Sequence, residues 1–232
     1  MHFLPLGTVL HYKMKKTAII LGATGLTGSL LLETLCHDDR YDTIKLFSRT
    51  KMDGLPSKVK QWIGDLLELE NFKEDFTADE VYCCIGTTTK KTPDKTRYRK
   101  IDFGIPVTAA KLTKANGIPT YLVVSALGAD ANSSIFYNKT KGEMEEAVLS
   151  EKIEKTHILQ PSIIGGHREE KRIGEKMALA AFRFLQPLFI GKLKKYRITD
   201  AKDIAQAMVN LANSNATDIR ITSASIKQYA NL

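Results

Sequence analysis

The sequence has 232 residues, 43% of them apolar and 26% charged, with a formal charge of +8. That balance belongs to a folded protein with a real core, and the length suits one large or two small domains. No apolar run reaches the roughly 18–20 residues of a membrane span, and Cys36, Cys83 and Cys84 form neither a disulfide framework nor a spaced metal-ligand set, which points to a reducing cytoplasm.

The first stretch, "MHFLPLGTVLHYK", lacks the basic start and small-residue cleavage site of a secretory signal. Residues 1–13 read as an upstream extension, and a second methionine, Met14, opens "MKKTAIILGATG" as a first strand. From there β-rich runs fall at Thr17–Leu21, Thr43–Phe47, Val59–Ile63, Glu80–Ile85, Thr120–Val124 and Thr156–Leu159. Helical stretches lie between them, clearest at Leu26–Leu35, Ile101–Ala115 and Phe136–Leu149. Asn116-Gly117 closes the second of these, and Pro106 inside it marks a kink or a late start. Cys83 and Cys84 sit in the run "EVYCCIG", where cysteine acts as a small hydrophobe.

Such an alternation, with near-continuous apolar strands, predicts an α/β fold with a doubly wound parallel sheet covered by helices on both faces. After Gln160-Pro161 the rhythm loosens. "SIIGGHREEKRIGEK" reads as a loop, and helices are predicted at Lys176–Leu185 and Ala201–Ala212, the latter announced by "TDAKD". The expectation is one domain over residues 14–232, in which residues 161–232 add a small C-terminal helical lobe on the substrate side. Basic residues crowd Lys90–Lys100 ("KKTPDKTRYRK") and Lys192–Arg197 ("KLKKYR"). These are either solvated surface or a site for anionic partners.

The run "LGATGLTG" places Gly22, Gly25 and Gly28 at the exit of the first strand, with a helix directly after. In a Rossmann unit the first glycine turns the chain, the second lets a pyrophosphate approach, and the third allows close helix–strand packing. The helix N-terminus supplies N–H groups and the positive end of the dipole. Gly22, Thr24, Gly25, Leu26, Thr27 and Gly28 are therefore the expected phosphate cradle. NAD sites commonly carry an acid at the end of the second strand, but here that strand ends "KLFSRTK". Ser48 and Arg49 suit a 2′-phosphate instead, so NADP(H) is the expected cofactor. Asp65 and Leu66, after the third strand, are placed at the adenine, and Gly86 and Thr87, after the fourth, along the dinucleotide.

The motifs "GATGLTG", "VVSALGAD", "YNKTKGEME" and "ILQPSIIGG" resemble those of the atypical short-chain dehydrogenases/reductases. More narrowly, they resemble the NAD(P)H-binding proteins related to the Tat-interacting protein, roughly from Lys15 to Gly166. The resemblance implies a Rossmann fold, NADPH binding and a reductase-like site of Ser, Tyr and Lys. It also implies regulatory members that need not turn over a substrate.

Ser125, Tyr137 and Lys141 fill the catalytic places. Tyr-x-x-x-Lys also occurs at Tyr12–Lys16 and Tyr41–Lys45, but only Tyr137–Lys141 opens a helix, where residues four apart share a face. Asp102 stands where many active relatives carry an asparagine that supports a proton-relay water. His157 is expected to pack or cap, and His167 to lie in the loop after the sixth strand. Two functions follow: NADPH-dependent reduction of a carbonyl on a small molecule, or NADPH sensing through a protein partner. Nucleic-acid binding, resting on net charge alone, ranks last.

Overall fold

The computed structural model describes residues 15–165 and 197–232. The elements, in chain order, are β1 (Lys16–Leu21), α1 (Leu26–Cys36), β2 (Tyr41–Ser48), β3 (Val59–Ile63), a 3₁₀ run (Leu66–Phe72) and β4 (Glu80–Cys83). Then come α2 (Lys95–Arg99), a π-helical turn (Lys100–Gly104), α3 (Ile105–Ala115), β5 (Thr120–Val124), α4 (Phe136–Ser150) and β6 (Lys155–Gln160). A short pair, β7 (Ile164–Gly165) and β8 (Thr199–Asp200), precedes α5 (Ala201–Ala212), β9 (Arg220–Thr222) and α6 (Ser223–Ala230).

Seven strands form one parallel sheet in the order β3-β2-β1-β4-β5-β6-β9. This is the Rossmann-type doubly wound arrangement that the alternation predicts. The period of two along each strand divides the core. Ala18, Ile20, Tyr82, Leu122 and Leu159 face α1, α5 and α6. Ile19, Leu21, Val81, Cys83, Val123 and Ile158 face the layer of α3, α4 and the 3₁₀ run. Each fully buried Leu or Ile contributes about 1.5–3 kcal/mol. The C-terminal helices α5 and α6 make the small additional lobe, α5 packing on α1 and α6 on α5 in one cluster that holds Ile204, Met208 and Ile226. No described helix is long and apolar enough to cross a membrane.

The helix expected at Ile101–Ala115 begins earlier and changes pitch. Asp94 caps α2 by accepting from the Arg97 N–H at 2.6 Å. In the π turn the Ile105 N–H reaches back five residues to the Lys100 carbonyl. Pro106 follows at once, with no N–H of its own to offer the carbonyl of Asp102. Helical dihedrals continue through Gly104 and Ile105 at the wider turn's end, so the helix does not start late at the proline. β4 ends at Cys83 rather than Ile85, because Cys84 and Ile85 already turn over the β1 exit. The strand β9 and the helix α6 are absent from the sequence reading: three residues of strand leave no period to detect. The predicted helix at 176–185, His167 and most of the basic run 192–197 lie outside the described residues, as do residues 1–14.

At the N-terminal end of the sheet a buried carboxylate ties the layers together. Glu80 accepts from Lys16 at 2.6 Å, from the Tyr41 hydroxyl at 2.6 Å and from the Tyr82 hydroxyl at 2.5 Å. Asn213, after α5, donates to Tyr41 at 2.6 Å. This staple is structural, since it lies at the opposite end from the loops that follow the strands.

Candidate active site

Strand order reverses between β1 and β4, and a parallel sheet opens a crevice at such a point beyond the strand ends. The glycine turn forms one lip. Gly22 has φ +88°, and a Cβ there would stand 2.9 Å from the Cys84 carbonyl group. A Cβ at Gly28 would stand 2.1 Å from the Gly22 oxygen. Both glycines are therefore demanded by the packing of the chain itself.

Gly25 is different. Its φ is −83°, and an added Cβ would meet only the Gly22 oxygen, at 3.3 Å. Gly25 also caps α1, and no side chain caps the helix, so the first N–H groups of α1 have no side-chain partner. An open approach to uncapped, dipole-aligned donors fits a pyrophosphate. Thr24 is exposed on this turn, whereas Thr27 is buried one residue before Gly28. Gly25→Val is expected to leave the fold intact and abolish dinucleotide binding, because the side chain fills the phosphate approach. Calorimetry on a variant with unchanged circular dichroism checks this; unchanged affinity would reduce the glycine to a turn residue.

The other expected cofactor residues stand at or just after the C-terminal ends of β2, β3 and β4. Arg49 is exposed at the end of β2 and pairs with no acid among the described residues. Ser48 is buried and donates to the Thr50 carbonyl at 2.8 Å, so it shapes the loop that carries Arg49. Asp65 is exposed and accepts from the Leu67 N–H at 3.0 Å, while Leu66 is buried in the core beneath it. Gly86 is exposed after β4, and the Thr87 N–H donates to Asp102 Oδ2 at 2.8 Å.

On α4, Tyr137 and Lys141 share a face, as their spacing requires. Lys141 is buried, and its Nζ lies 3.1 Å from Asp102 Oδ1, also buried. Burial raises the Tyr137 phenol above its ordinary value, the Lys141 ammonium pulls it down, and the Asp102 carboxylate pushes it up again. The phenol is consequently protonated at neutral pH, the form that gives a proton away. Ser125, just past β5, and Tyr137 line one cavity of about 450 Å³. Its other walls are Ala126, Leu127, Pro161, Ser162, Ile163 and Ile164, a mostly apolar set.

One participant is missing from the sequence reading. Glu145 is buried and accepts from Ser125 Oγ at 2.5 Å, from Gln160 at 2.9 Å and from Arg220 at 2.8 Å. It stands one helical step beyond Lys141, so Tyr137, Lys141 and Glu145 recur at intervals of four. That spacing is the signal in the sequence. As described, the Ser125 hydrogen points to Glu145; contacting a carbonyl oxygen requires the hydroxyl to rotate, leaving Glu145 held by Gln160 and Arg220.

His157 is buried with Nδ1 2.6 Å from the Asp218 carbonyl, and burial lowers its pKa, so it packs as expected. Burial likewise raises the Cys83 and Cys84 thiols, which keeps both as inert hydrophobes.

Comparison with known proteins supports dinucleotide binding. The family profile described as NAD(P)H-binding matches residues 22–164. Protein FMP52-1, mitochondrial, of Scheffersomyces stipitis is 31% identical over 210 residues, covering 86% of this chain and 89% of its own. Protein HTATIP2 of Rattus norvegicus is 31% identical over 176 residues, covering 74% of this chain and 72% of its own. Among solved structures, the Bordetella bronchiseptica enzyme WbmG in complex with NAD superposes with a TM-score of 0.67 at 15% identity, covering 96% of this chain and 78% of its own. A UDP-glucose 4-epimerase of Thermotoga maritima gives 0.65 at 15% identity, covering 88% and 75%. The likeness to these two structures is one of fold. The relatives overturn one expectation, the cytoplasmic setting: several of them are named as mitochondrial proteins. Cys36, Cys83 and Cys84 are free, which does not single out the cytoplasm.

Proposed function

This chain belongs to the NAD(P)H-binding family related to the Tat-interacting protein, and from that premise we propose that it is an NADPH-dependent reductase of a carbonyl on a small, largely apolar molecule. One observation carries the reading: Ser125 and Tyr137 line a single apolar cavity, with Lys141 buried one helical turn from Tyr137. In this reading Gly22, Thr24, Gly25, Leu26, Thr27 and Gly28 hold the pyrophosphate, and Arg49, on the loop that Ser48 shapes, the 2′-phosphate. Asp65 and Leu66 border the adenine, and Gly86 and Thr87 border the path to the nicotinamide. Pro161, Ser162, Ile163 and Ile164 supply the substrate side.

When bound, NADPH supplies the hydride. The protein supplies the proton. Tyr137 gives its phenolic hydrogen to the substrate oxygen as a general acid. The Lys141 ammonium would stabilise the phenolate that this leaves and would help to hold the cofactor ribose. Ser125 turns from Glu145 to hold the same oxygen.

A second reading, NADPH sensing without turnover, finds support in Asp102. Its carboxylate offsets the charge of Lys141, whereas an asparagine there would leave that charge free to act on Tyr137.

The cofactor choice is tested by calorimetry. NADPH is expected to bind more tightly than NADH, and Arg49→Ala to remove most of the difference, about 1.5–3 kcal/mol for a charge-assisted bond. Equal wild-type affinities for the two cofactors would refute the NADPH preference.

A further inference from the structure

The basic segment Lys90–Lys100 has no part in the reductase reading, yet the fold builds a second cavity from it. This cavity, of about 440 Å³, lies between α2, the π turn and the start of α4. Lys95, Arg99 and Lys100 stand around it, and the rings of Phe103 and Phe136 form its walls. The Arg99 guanidinium lies 4.4 Å from the centre of the Phe103 ring, and Lys95 Nζ lies 5.4 Å from that of Phe136. Phe136 is fixed in turn by an edge-on contact with buried Tyr98, at 5.5 Å between centroids.

Charge and shape in this cavity point the same way. Glu143 pairs with Arg99, but Lys95 and Lys100 form no ion pair among the described residues. Exposed cations beside aromatic faces offer an anion its charge partner while the rings offer an apolar seat. The volume is within the range of small-molecule sites. The walls also carry a π turn, a helical irregularity that recurs at functional sites. We infer that this cavity is a second ligand site, separate from the dinucleotide crevice, for a small organic anion with a planar aromatic body and a sulfonate, phosphate or carboxylate group. The aromatic body stacks between Phe103 and Phe136, and the anionic group meets Lys95 and Lys100. Phe103 follows Asp102 in the chain and Phe136 precedes Tyr137, so an occupant bears on both neighbours of the proposed reaction centre.

The test uses the full chain and the fluorescent probe 1-anilinonaphthalene-8-sulfonate. The probe is expected to bind the wild type at saturating NADP⁺ and equally well to Gly25→Val, so its binding does not depend on the dinucleotide crevice. The double variant Lys95→Glu/Lys100→Glu, altered only at exposed positions, is expected to weaken probe binding about tenfold or more, with NADPH affinity and melting temperature unchanged. Raising the ionic strength of the wild type is expected to weaken it in the same direction. Equal probe affinity in the double variant would overturn the proposal, as would loss of the wild-type signal on adding NADP⁺. A wild-type dimer that excludes the probe, and that the double variant dissociates, would also overturn it, by assigning the cavity to a second copy of the chain.

Discussion

Tyr137→Phe is expected to lower turnover of an accepted carbonyl by about 10²–10⁴-fold, the range for losing a general acid, while NADPH affinity stays nearly constant. The ring remains in place; only the proton donor goes. Lys141→Ala is expected to weaken both turnover and NADPH binding, since in the proposed reaction its ammonium would serve phenol and ribose together. Asp102 gives the pair a further signature. Its carboxylate holds the phenol up against the pull of Lys141, so Asp102→Asn lowers the phenol pKa. Reduction needs the protonated phenol, and the alkaline limb of the rate profile is therefore expected to move to lower pH. Steady-state kinetics across pH on the three variants checks the set. A Tyr137→Phe enzyme with wild-type turnover would remove the tyrosine from the mechanism.

Glu80→Ala is expected to destabilise the fold by about 3–5 kcal/mol, the cost of removing one partner from a buried charged cluster. Two phenols, Tyr41 and Tyr82, would lose their acceptor, and Lys16 its counter-charge. For a chain of this length the melting midpoint is expected to fall by roughly 10 °C. The same cluster sets a pH dependence. Burial and the Glu80 charge raise both phenols well above their ordinary value. The folded chain thus holds these protons above about pH 10, where the unfolded chain releases them. Stability is expected to be fully present below about pH 10 and lost as pH rises through the folded values. Thermal melts of wild type and variant, with tyrosine ionisation followed by ultraviolet absorbance, check both statements. A variant that melts with the wild type would leave the staple without energetic weight.

The parallel sheet and the glycine turn are legible in the sequence because each rests on local rules. β-rich runs of four to six residues alternate with helical periods, and Gly22 and Gly28 have no side chain because the backbone leaves no room for one. Long-range polar partners are not legible in that way. Glu80 reads as the first residue of a strand, and nothing near it announces Tyr41, Lys16 or Asn213. Glu145 has a faint local trace in its four-residue step from Lys141, but its partners Gln160 and Arg220 come from distant strand ends. The π turn escapes because its cause, a proline one residue past a helical turn, also fits a kink or a fresh start. Asp102 is visible as a departure from the resemblance, yet only its 3.1 Å approach to Lys141 gives that departure a physical meaning.

The central claim is that this crevice does chemistry and does not merely bind a cofactor. The direct measurement is loss of reduced-nicotinamide absorbance by wild-type protein saturated with NADPH, across a panel of aldehydes and ketones small enough for a cavity of about 450 Å³. At least one apolar carbonyl is expected to be reduced well above the rate without enzyme, and Tyr137→Phe to abolish that excess. Tight NADPH binding with no carbonyl reduced above background would contradict the claim and leave the chain a sensor of its cofactor.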